Sequence, residues 1–405
     1  MVVDIAVLGY GTVGSGVVEV INTNSDSINK KAGADINVKY VLDLRDFPGD
    51  PVEKVLVHDF DVILNDPDVK IVVEVMGGVE PAYTFVKKCL LSGKSVCTSN
   101  KELVAKHGPE LLEIARDKQI NFLFEASCGG GIPIIRPLNS SLTADELLEI
   151  TGILNGTTNY ILSKMADEGW EFEDALKKAQ ELGYAERNPE ADVEGYDACR
   201  KIAILSSLAF GDHVDSEDIY TEGITKITAT DIKFAKLLDS RIKLLASSKR
   251  EGDKFFAMVA PFIVPTTHPL YPVSNVFNAI FVKGNVLGDV MFYGSGAGKL
   301  PTASAVVSDV VDATKHLHTN ILSFWSSKKL ELTKVDHAVR KFFVRVSGNS
   351  DERLAEIKAL FGQVEVLNLE DVTGEFGFVT AELSEQDFKE KLAKLDGVLN
   401  SIRML

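Results

Sequence analysis

Asp197 and Lys201 stand four residues apart, so a helix through them puts a carboxylate and an amine on one face. A lysine held beside a carboxylate can keep a proton in place and hand it over. The helix carrying them is predicted over about Tyr196–Phe210. Ile204, Leu205 and Leu208 continue the same face, and no further charge follows before Asp212. A helix that is apolar nearly all round belongs inside the fold. Before it, a first helix stops at Gly183, a natural C-cap residue. The loop Tyr184–Gly195 follows, with Glu186, Glu190, Asp192 and Glu194 set around Pro189. Such a loop suits an ammonium group. The competing reading is a solvated i,i+4 ion pair worth ~0.3–0.5 kcal/mol. The apolar continuation of the helix and the loop carboxylates weigh against it.

The elements that would position a cofactor come first in the chain. Val3–Leu8 is a β-branched apolar run, followed at once by Gly9-Tyr-Gly11-Thr12-Val13-Gly14 and the helix-compatible Ser15–Ile21. Strand, GxGxxG and helix in that order let a pyrophosphate sit on the helix N-terminus. The second strand, Ile36–Leu42, follows a long crossover, Asn22–Asp35, and ends at Asp43-Leu-Arg45. An acidic residue there binds the ribose hydroxyls of NAD, and an arginine favours the 2′-phosphate of NADP. Both are present, so both cofactors stay open. Lys70–Met76, Ser95–Thr98 and Asn121–Glu125 read as further strands. Helices are expected from Glu80-Pro81 to about Leu91 and around Pro109–Lys118. The alternation predicts a doubly wound parallel sheet with its ligands at the strands' carboxyl ends. Gly77, Thr98, Lys101 and Glu125 lie at such ends.

Glu125-Ala-Ser-Cys128-Gly-Gly130-Gly-Ile132-Pro leaves this domain through three glycines, whose carbonyls can ligate a hard cation or merely turn the chain. An α+β domain is expected over 131–300, with strands at Thr151–Leu154, Phe255–Val264 and Val276–Val282. Asn155 should cap a helix that runs through Ala166. A second glycine-rich loop, Tyr293–Gly298, opens a helix over about 300–325 whose apolar face would complete the 1–130 domain. Lys328–Val335 reads as a linker. Residues 340–405 then follow a βαββαβ, ferredoxin-like order.

The bulk properties narrow the function. The 405 residues carry a formal net charge of −16, against a nucleic-acid or anionic-membrane partner. Cys89, Cys97, Cys128 and Cys199 form no CxxC, which points to reduced thiols and a cytoplasmic setting. No run spans a bilayer, and no signal peptide is expected.

With these residues in place, the chain resembles the homoserine dehydrogenases. Ala179–Lys201 fits that family's signature, A-x3-G-[FY]-A-x2-[DN]-P-x2-D-[LIV]-x-G-x-D-x3-K, at every constrained position. Similar family motifs are GxGTVG at Gly9–Gly14, GG-x-EP at Gly77–Pro81, SNK at Ser99–Lys101 and EAS-x-GGGIP at Glu125–Pro133. So are NGTTNYI at Asn155–Ile161 and GxGAG-x2-PTASAVVSD at Gly294–Asp309. The resemblance implies a Rossmann-type domain, a catalytic and dimerisation domain and, by element order, an ACT-like tail. It implies NAD(P)-dependent interconversion of L-homoserine and L-aspartate 4-semialdehyde in threonine and methionine biosynthesis, by a homodimer or higher oligomer. Lys201 resembles the catalytic lysine and Asp197 its partner at the substrate. Glu186, Asp192, Thr157 and Tyr184 fall to substrate binding. Gly9, Gly11, Thr12, Val13, Gly14, Asp43, Arg45, Thr98, Lys101, Gly183 and Gly298 fall to the cofactor. Glu125, with the backbone of Cys128, Gly130 and Ile132, resembles a sodium site; many relatives have valine at Cys128, where a redox-sensitive thiol is an alternative. The tail suggests an amino-acid effector such as threonine. Two rivals use the same residues: another small-aldehyde dehydrogenase, and a non-catalytic amino-acid sensor.

Overall fold

Alternating β-branched runs and glycine turns build the first part of the chain as expected. Its elements are β1 (Val2–Leu8), α1 (Thr12–Thr23), α2 (Ser25–Ala32), β2 (Asp35–Leu42), β3 (Leu56–Val57), α3 (Phe60–Asn65) and β4 (Val69–Glu74). They continue with α4 (Ala82–Leu91), β5 (Ser95–Thr98), α5 (Lys101–Asp117) and β6 (Phe122–Leu123). The six strands pair in parallel in the order β3-β2-β1-β4-β5-β6, the doubly wound dinucleotide-binding arrangement. β4 and β5 are buried almost throughout, which is why their sequences read as continuous apolar runs. The long crossover expected at Asn22–Asp35 contains α2, because Ile28 and Ala32 supply a buried stripe. The helix expected near Pro109 begins eight residues earlier, at Lys101. Asn100 caps it, its side chain accepting the Leu103 N–H at 3.1 Å, and Pro109 is carried within the helix. Before that proline, a Cβ on Gly108 would lie 2.8 Å from the Trp325 ring, so the helix packs flat at this point.

The computed structural model describes residues 1–405 in two compact units. One comprises Met1–Glu146, Ala203–Ser216 and Phe292–Leu330; the other Leu147–Ile202, Glu217–Met291 and Glu331–Leu405. After β6 come β7 (Leu147–Ile153), α6 (Gly156–Glu168), α7 (Phe172–Glu181), α8 (Glu190–Val193), α9 (Tyr196–Phe210), β8 (Tyr220–Thr221) and α10 (Ala229–Leu237). Then follow β9 (Ser240–Glu251), β10 (Lys254–Pro265), β11 (Phe277–Gly284), β12 (Gly288–Ser295) and α11 (Lys299–Lys315). The tail adds β13 (Val339–Arg340), β14 (Phe342–Ser347), α12 (Ser350–Phe361), β15 (Val364–Leu367), β16 (Glu375–Thr380), β17 (Leu383–Ser384), α13 (Glu385–Leu392) and β18 (Val398–Met404). β12-β11-β7-β9-β10-β18-β14-β16-β15 form one continuous mixed sheet, with β8 also on β10. The tail strands therefore extend the sheet of the second unit, and β15 forms its far edge. β18 pairs with β10, Phe262 opposite Arg403, and β14 lies between β18 and β16.

α11 belongs to the first unit and packs on α1. A Cβ at Gly16 would come 2.9 Å from the Lys299 carbonyl and 3.0 Å from Ala303. Ala303, Val306, Val310 and Ala313 join the core beneath β1, β2 and β4. The helix stops at Lys315 with His316 as its C-cap, so the rest of the 300–325 stretch continues without helix. The Asn121 side chain then takes over the chain, donating to the carbonyls of His316 and Thr319 and accepting the Ile321 N–H.

Candidate active site

The first unit presents a nucleotide cradle. β1 delivers Gly9 with φ +97°, and a Cβ on Gly14 would fall 1.9 Å from the Gly9 carbonyl, so no other residue closes this turn. Gly11 stands at the N-cap of α1 with no side-chain cap, and a Cβ there would meet nothing within 4 Å. Uncapped N–H groups facing open space suit an anion, which is what a pyrophosphate requires of Gly11, Thr12 and Val13. Asp43, at the tip of β2, accepts the Tyr10 N–H at 2.8 Å and is thereby fixed against the glycine turn. Arg45 grips the same carboxylate through Nε and Nη2, both at 3.0 Å, and lies over Phe47. That guanidinium, with backbone N–H groups adding, holds the Asp43 carboxyl well below the usual carboxylate range.

At the ends of β4 and β5 the hydroxyl of Thr98 donates to Glu74 at 2.7 Å, and the Met76 N–H donates to the other Glu74 oxygen at 2.8 Å. Burial pushes the Glu74 carboxyl up, and these donors oppose it. Lys101 is the first residue of α5, partly buried. Gly298, with φ +120°, precedes α11. The glycine run after Glu125 lies flat on the second glycine-rich loop: a Cβ on Gly130 would be 2.4 Å from the Gly296 carbonyl. The Glu125 carboxylate accepts the N–H groups of Ile134, Ile135 and Arg136 at 2.6, 2.9 and 2.7 Å, so its charge is engaged by the turn that follows. The carbonyls of Glu125, Cys128, Gly130 and Ile132 remain the donors of a type a hard cation accepts. Cys128 is fully buried, which removes the basis for a solvent-reached redox thiol.

The second unit gathers the acid–base group. Lys201 Nζ is 2.7 Å from Asp197 Oδ2 and 2.7 Å from the Leu154 carbonyl at the end of β7. Both side chains are buried, at 11% and 8% exposure, so the solvated-pair reading fails. Asn155, the N-cap of α6, uses its Oδ1 on the Thr158 N–H and its Nδ2 on two carboxylates, Asp192 at 2.7 Å and Asp197 at 2.9 Å. One amide thus ties the acidic loop to the base of α9. The loop contains the single turn α8, started by Pro189 and favoured by Glu190 and Asp192 at its positive end. Thr157 is occupied: its hydroxyl donates to the Tyr184 carbonyl at 2.6 Å. Tyr184 itself is half exposed and meets Tyr160 edge-on. Gly183 takes φ +74° after α7, and Glu186 projects to solvent.

Two family models match the chain, one described as homoserine dehydrogenase over residues 133–311 and one as its NAD binding domain over residues 9–125. The chain belongs to the homoserine dehydrogenase family. It is 46% identical over 324 residues to a homoserine dehydrogenase of Mycobacterium tuberculosis, covering 78% of this chain and 73% of that one. It is 39% identical to the Synechocystis enzyme, with 98% of both chains covered. A solved homoserine dehydrogenase of Thiobacillus denitrificans superposes with a TM-score of 0.89 at 35% identity, over 100% of this chain and 98% of that one. A hyperthermophilic archaeal homoserine dehydrogenase solved with NADPH gives 0.66 at 29% identity, over 78% of this chain and 98% of that one. The chain is therefore an NAD(P)-dependent oxidoreductase of this family. No helix is long and apolar enough to cross a membrane. The sequence reading missed two groups that the geometry places beside its chosen pair, Asn155 in its clamping role and the Leu154 carbonyl. Asn155 was legible as a cap; its second role needs the fold, because Asp192 and Asp197 lie far along the chain.

Proposed function

We infer that Lys201 is the proton relay when this chain interconverts L-homoserine and L-aspartate 4-semialdehyde. The carrying observation is the buried Lys201–Asp197 pair, with Lys201 bonded to the Leu154 carbonyl and Asp197 clamped by Asn155. Nicotinamide, when bound, exchanges the hydride with the alcohol carbon. In the reducing direction Lys201 donates a proton to the carbonyl oxygen as it becomes an alkoxide; in oxidation it takes the hydroxyl proton. Asp197 orients the amine, and Asn155 holds Asp197 and Asp192 in one arrangement. That arrangement suits the substrate's ammonium, with Glu186 as a further carboxylate. Backbone N–H groups at the start of α6, beside Thr157 and Tyr184, are assigned to the substrate carboxylate.

The cofactor falls to Gly9, Gly11, Thr12, Val13 and Gly14 at the α1 N-terminus, to Asp43 and Arg45 at the ribose, and to Thr98, Lys101, Gly183 and Gly298. Arg45 neutralises Asp43, an arrangement that accommodates NADP as well as NAD. A sodium ion is assigned to the backbone carbonyls of Glu125, Cys128, Gly130 and Ile132, without the Glu125 side chain. The domain division is 1–130 with α11 for nucleotide binding, 131–300 for catalysis and dimerisation, and 340–405 as an ACT-like tail in a cytoplasmic homodimer or higher oligomer. Support for the last comes from the exposed Val286, Leu287 and Met291 around the edge strand β12. Threonine is the effector proposed for the tail, tested by titration of the whole chain because deleting β18 would strip β10 of a neighbour.

The deciding experiment measures reduced-nicotinamide formation from L-homoserine and from a panel of other small hydroxy amino acids, with NAD⁺ and NADP⁺ in parallel. Strong preference for L-homoserine supports the reading. Turnover of a different alcohol alone would establish the rival dehydrogenase, and binding without turnover the sensor.

A further inference from the structure

We propose that Arg403, in the last strand of the tail, is a positioning residue for the acidic loop that carries Asp192; the inference rests on that loop being part of the substrate site. Arg403 is 6% exposed and its guanidinium makes four hydrogen bonds. Nε and Nη2 reach the two oxygens of Glu385 at 2.7 and 3.0 Å, Nη1 reaches Glu222 at 2.6 Å, and Nη2 reaches the Tyr220 hydroxyl at 3.2 Å. Tyr220 in turn donates to Glu222 at 2.9 Å, and the guanidinium lies over the Tyr220 ring. Arg403, itself held by Glu385, thereby fixes the segment Tyr220–Glu222 from one side.

That segment fixes the loop from the other. The Ile224 N–H donates to the Val193 carbonyl at 2.8 Å, and the Thr225 hydroxyl donates to Glu194 at 3.0 Å. A Cβ on Gly223 would sit 2.3 Å from the Val193 carbonyl and 2.6 Å from Glu194 Cα, so the two backbones touch. Gly195, with φ +84°, faces Val259 and Thr221 at 3.1 and 3.2 Å from where a Cβ would stand. Its carbonyl accepts the Cys199 N–H and so begins the helix that presents Asp197 and Lys201. The order of contact is thus Arg403, Glu222, Gly223–Thr225, Val193–Gly195, and then Asp192 and Asp197 on either side. The steps are backbone contacts together with two hydrogen bonds to carboxylates, the part-buried Arg403–Glu222 pair and the exposed Thr225–Glu194 bond.

A second tail arginine supplies the comparison. Arg345 is as buried as Arg403 and pairs with Asp231 at 2.8 Å and Thr228 at 3.1 Å. Those two residues form the capping box of α10; the other hydrogen bond of Arg345 goes to Glu375 at 2.6 Å, so none of the three reaches residues 220–225. A merely structural role for tail arginines would make the two equivalent.

The test is steady-state kinetics on the whole chain for Arg403→Gln, Arg345→Gln and Thr225→Val, each with its melting curve. Thr225 is on the surface side of the relay, so its variant folds whatever the fate of the arginine variants. The expected result is a rise in the KM for L-homoserine of roughly tenfold or more in Arg403→Gln and about threefold in Thr225→Val. The KM for the nicotinamide cofactor should stay within twofold in both, and Arg345→Gln should leave both constants within twofold. Unchanged homoserine KM in Arg403→Gln and Thr225→Val would overturn the proposal. So would equal effects of Arg403→Gln and Arg345→Gln. Failure of the Lys201 assignment shows separately, as near-normal turnover in Lys201→Ala, and leaves the homoserine KM series readable.

Discussion

Replacing Lys201 removes two functions at once, and the geometry says how to separate them. If the amine is the proton relay, Lys201→Ala should lower kcat by roughly 10²–10⁴-fold, which is ~2.7–5.4 kcal/mol in the barrier. The same change also takes the Lys201 cation from the buried Asp197, whose Oδ2 accepts from the Asn155 amide as well, and takes the Lys201 donor from the Leu154 carbonyl. Breaking a buried pair from one side costs about 3–5 kcal/mol. At ~2–4 °C per kcal/mol for a unit of this size, the melting temperature should fall by roughly 6–20 °C. Activity lost to unfolding would then imitate activity lost to chemistry. The double variant Lys201→Met, Asp197→Asn removes both charges and should recover most of the lost stability. Its kcat should stay as low as that of Lys201→Ala. The assay is homoserine-dependent absorbance of reduced nicotinamide, read well below each variant's melting temperature. Recovery of kcat together with stability in the double variant would show that the pair is structural, and turnover in folded Lys201→Ala within tenfold of the wild type would refute the relay.

Arg45→Ala should release Asp43 for ribose hydroxyls and remove a cation from the 2′-phosphate position. A charge-assisted hydrogen bond is worth ~1.5–3 kcal/mol, so the ratio of kcat/KM for NAD over NADP should rise roughly tenfold to a hundredfold; an unchanged ratio would exclude Arg45 from cofactor choice. Lys243 is buried, donates to Asn159 and the Val273 carbonyl, and has its pKa pushed down to about 7 by burial, with Arg241 adding. The unfolded chain therefore holds more protons at this site between about pH 7 and its ordinary value of 10.5, and stability should rise with pH across that window. The unfolding free energy of wild type minus Lys243→Met should climb by up to ~1.4 kcal/mol per pH unit between pH 7.5 and 9, and a flat difference would deny the shift. Cys128→Val keeps the backbone carbonyl and nearly the volume, so any sodium dependence of the melting temperature should survive it with a stability change under ~1.5 kcal/mol; loss of that dependence would make the thiol itself a ligand.

Much of this was legible in the residues because the chemistry is local in sequence. GxGxxG between strand and helix, and Asp197 four residues before Lys201, are spacings that the backbone period converts directly into geometry. The first sheet was equally readable, since strands buried on both faces advertise themselves as apolar runs. What stayed hidden is non-local. β9 alternates weakly and carries Lys243 and Lys249, so it lacked a strand's pattern, yet it lies at the middle of the second sheet. Pro109 suggested a helix start, and the Asn100 cap nine residues earlier overrode it. Glu125 promised charge for a cation, and three backbone N–H groups engage that charge. The tail's element order could be read, but not that β18 would extend the sheet that holds β7 and β10.

That continuity changes what the tail can do. A separate module would influence the acidic loop only through a binding event, whereas one hydrogen-bonded into the same sheet constrains the loop at all times. Arg403 lies on the strand that makes the join, opposite Phe262 of β10, and β10 also pairs with β8, whose Thr221 leads into Glu222. The segment that touches the loop carrying Asp192 is thus held by the pairing of β8 with β10 and by the side chain of Arg403. If the proposed role of Arg403 holds, a ligand or partner that shifted residues 398–404 should change the KM for L-homoserine before that for the cofactor. A perturbation of the tail that altered cofactor KM alone would contradict this ordering.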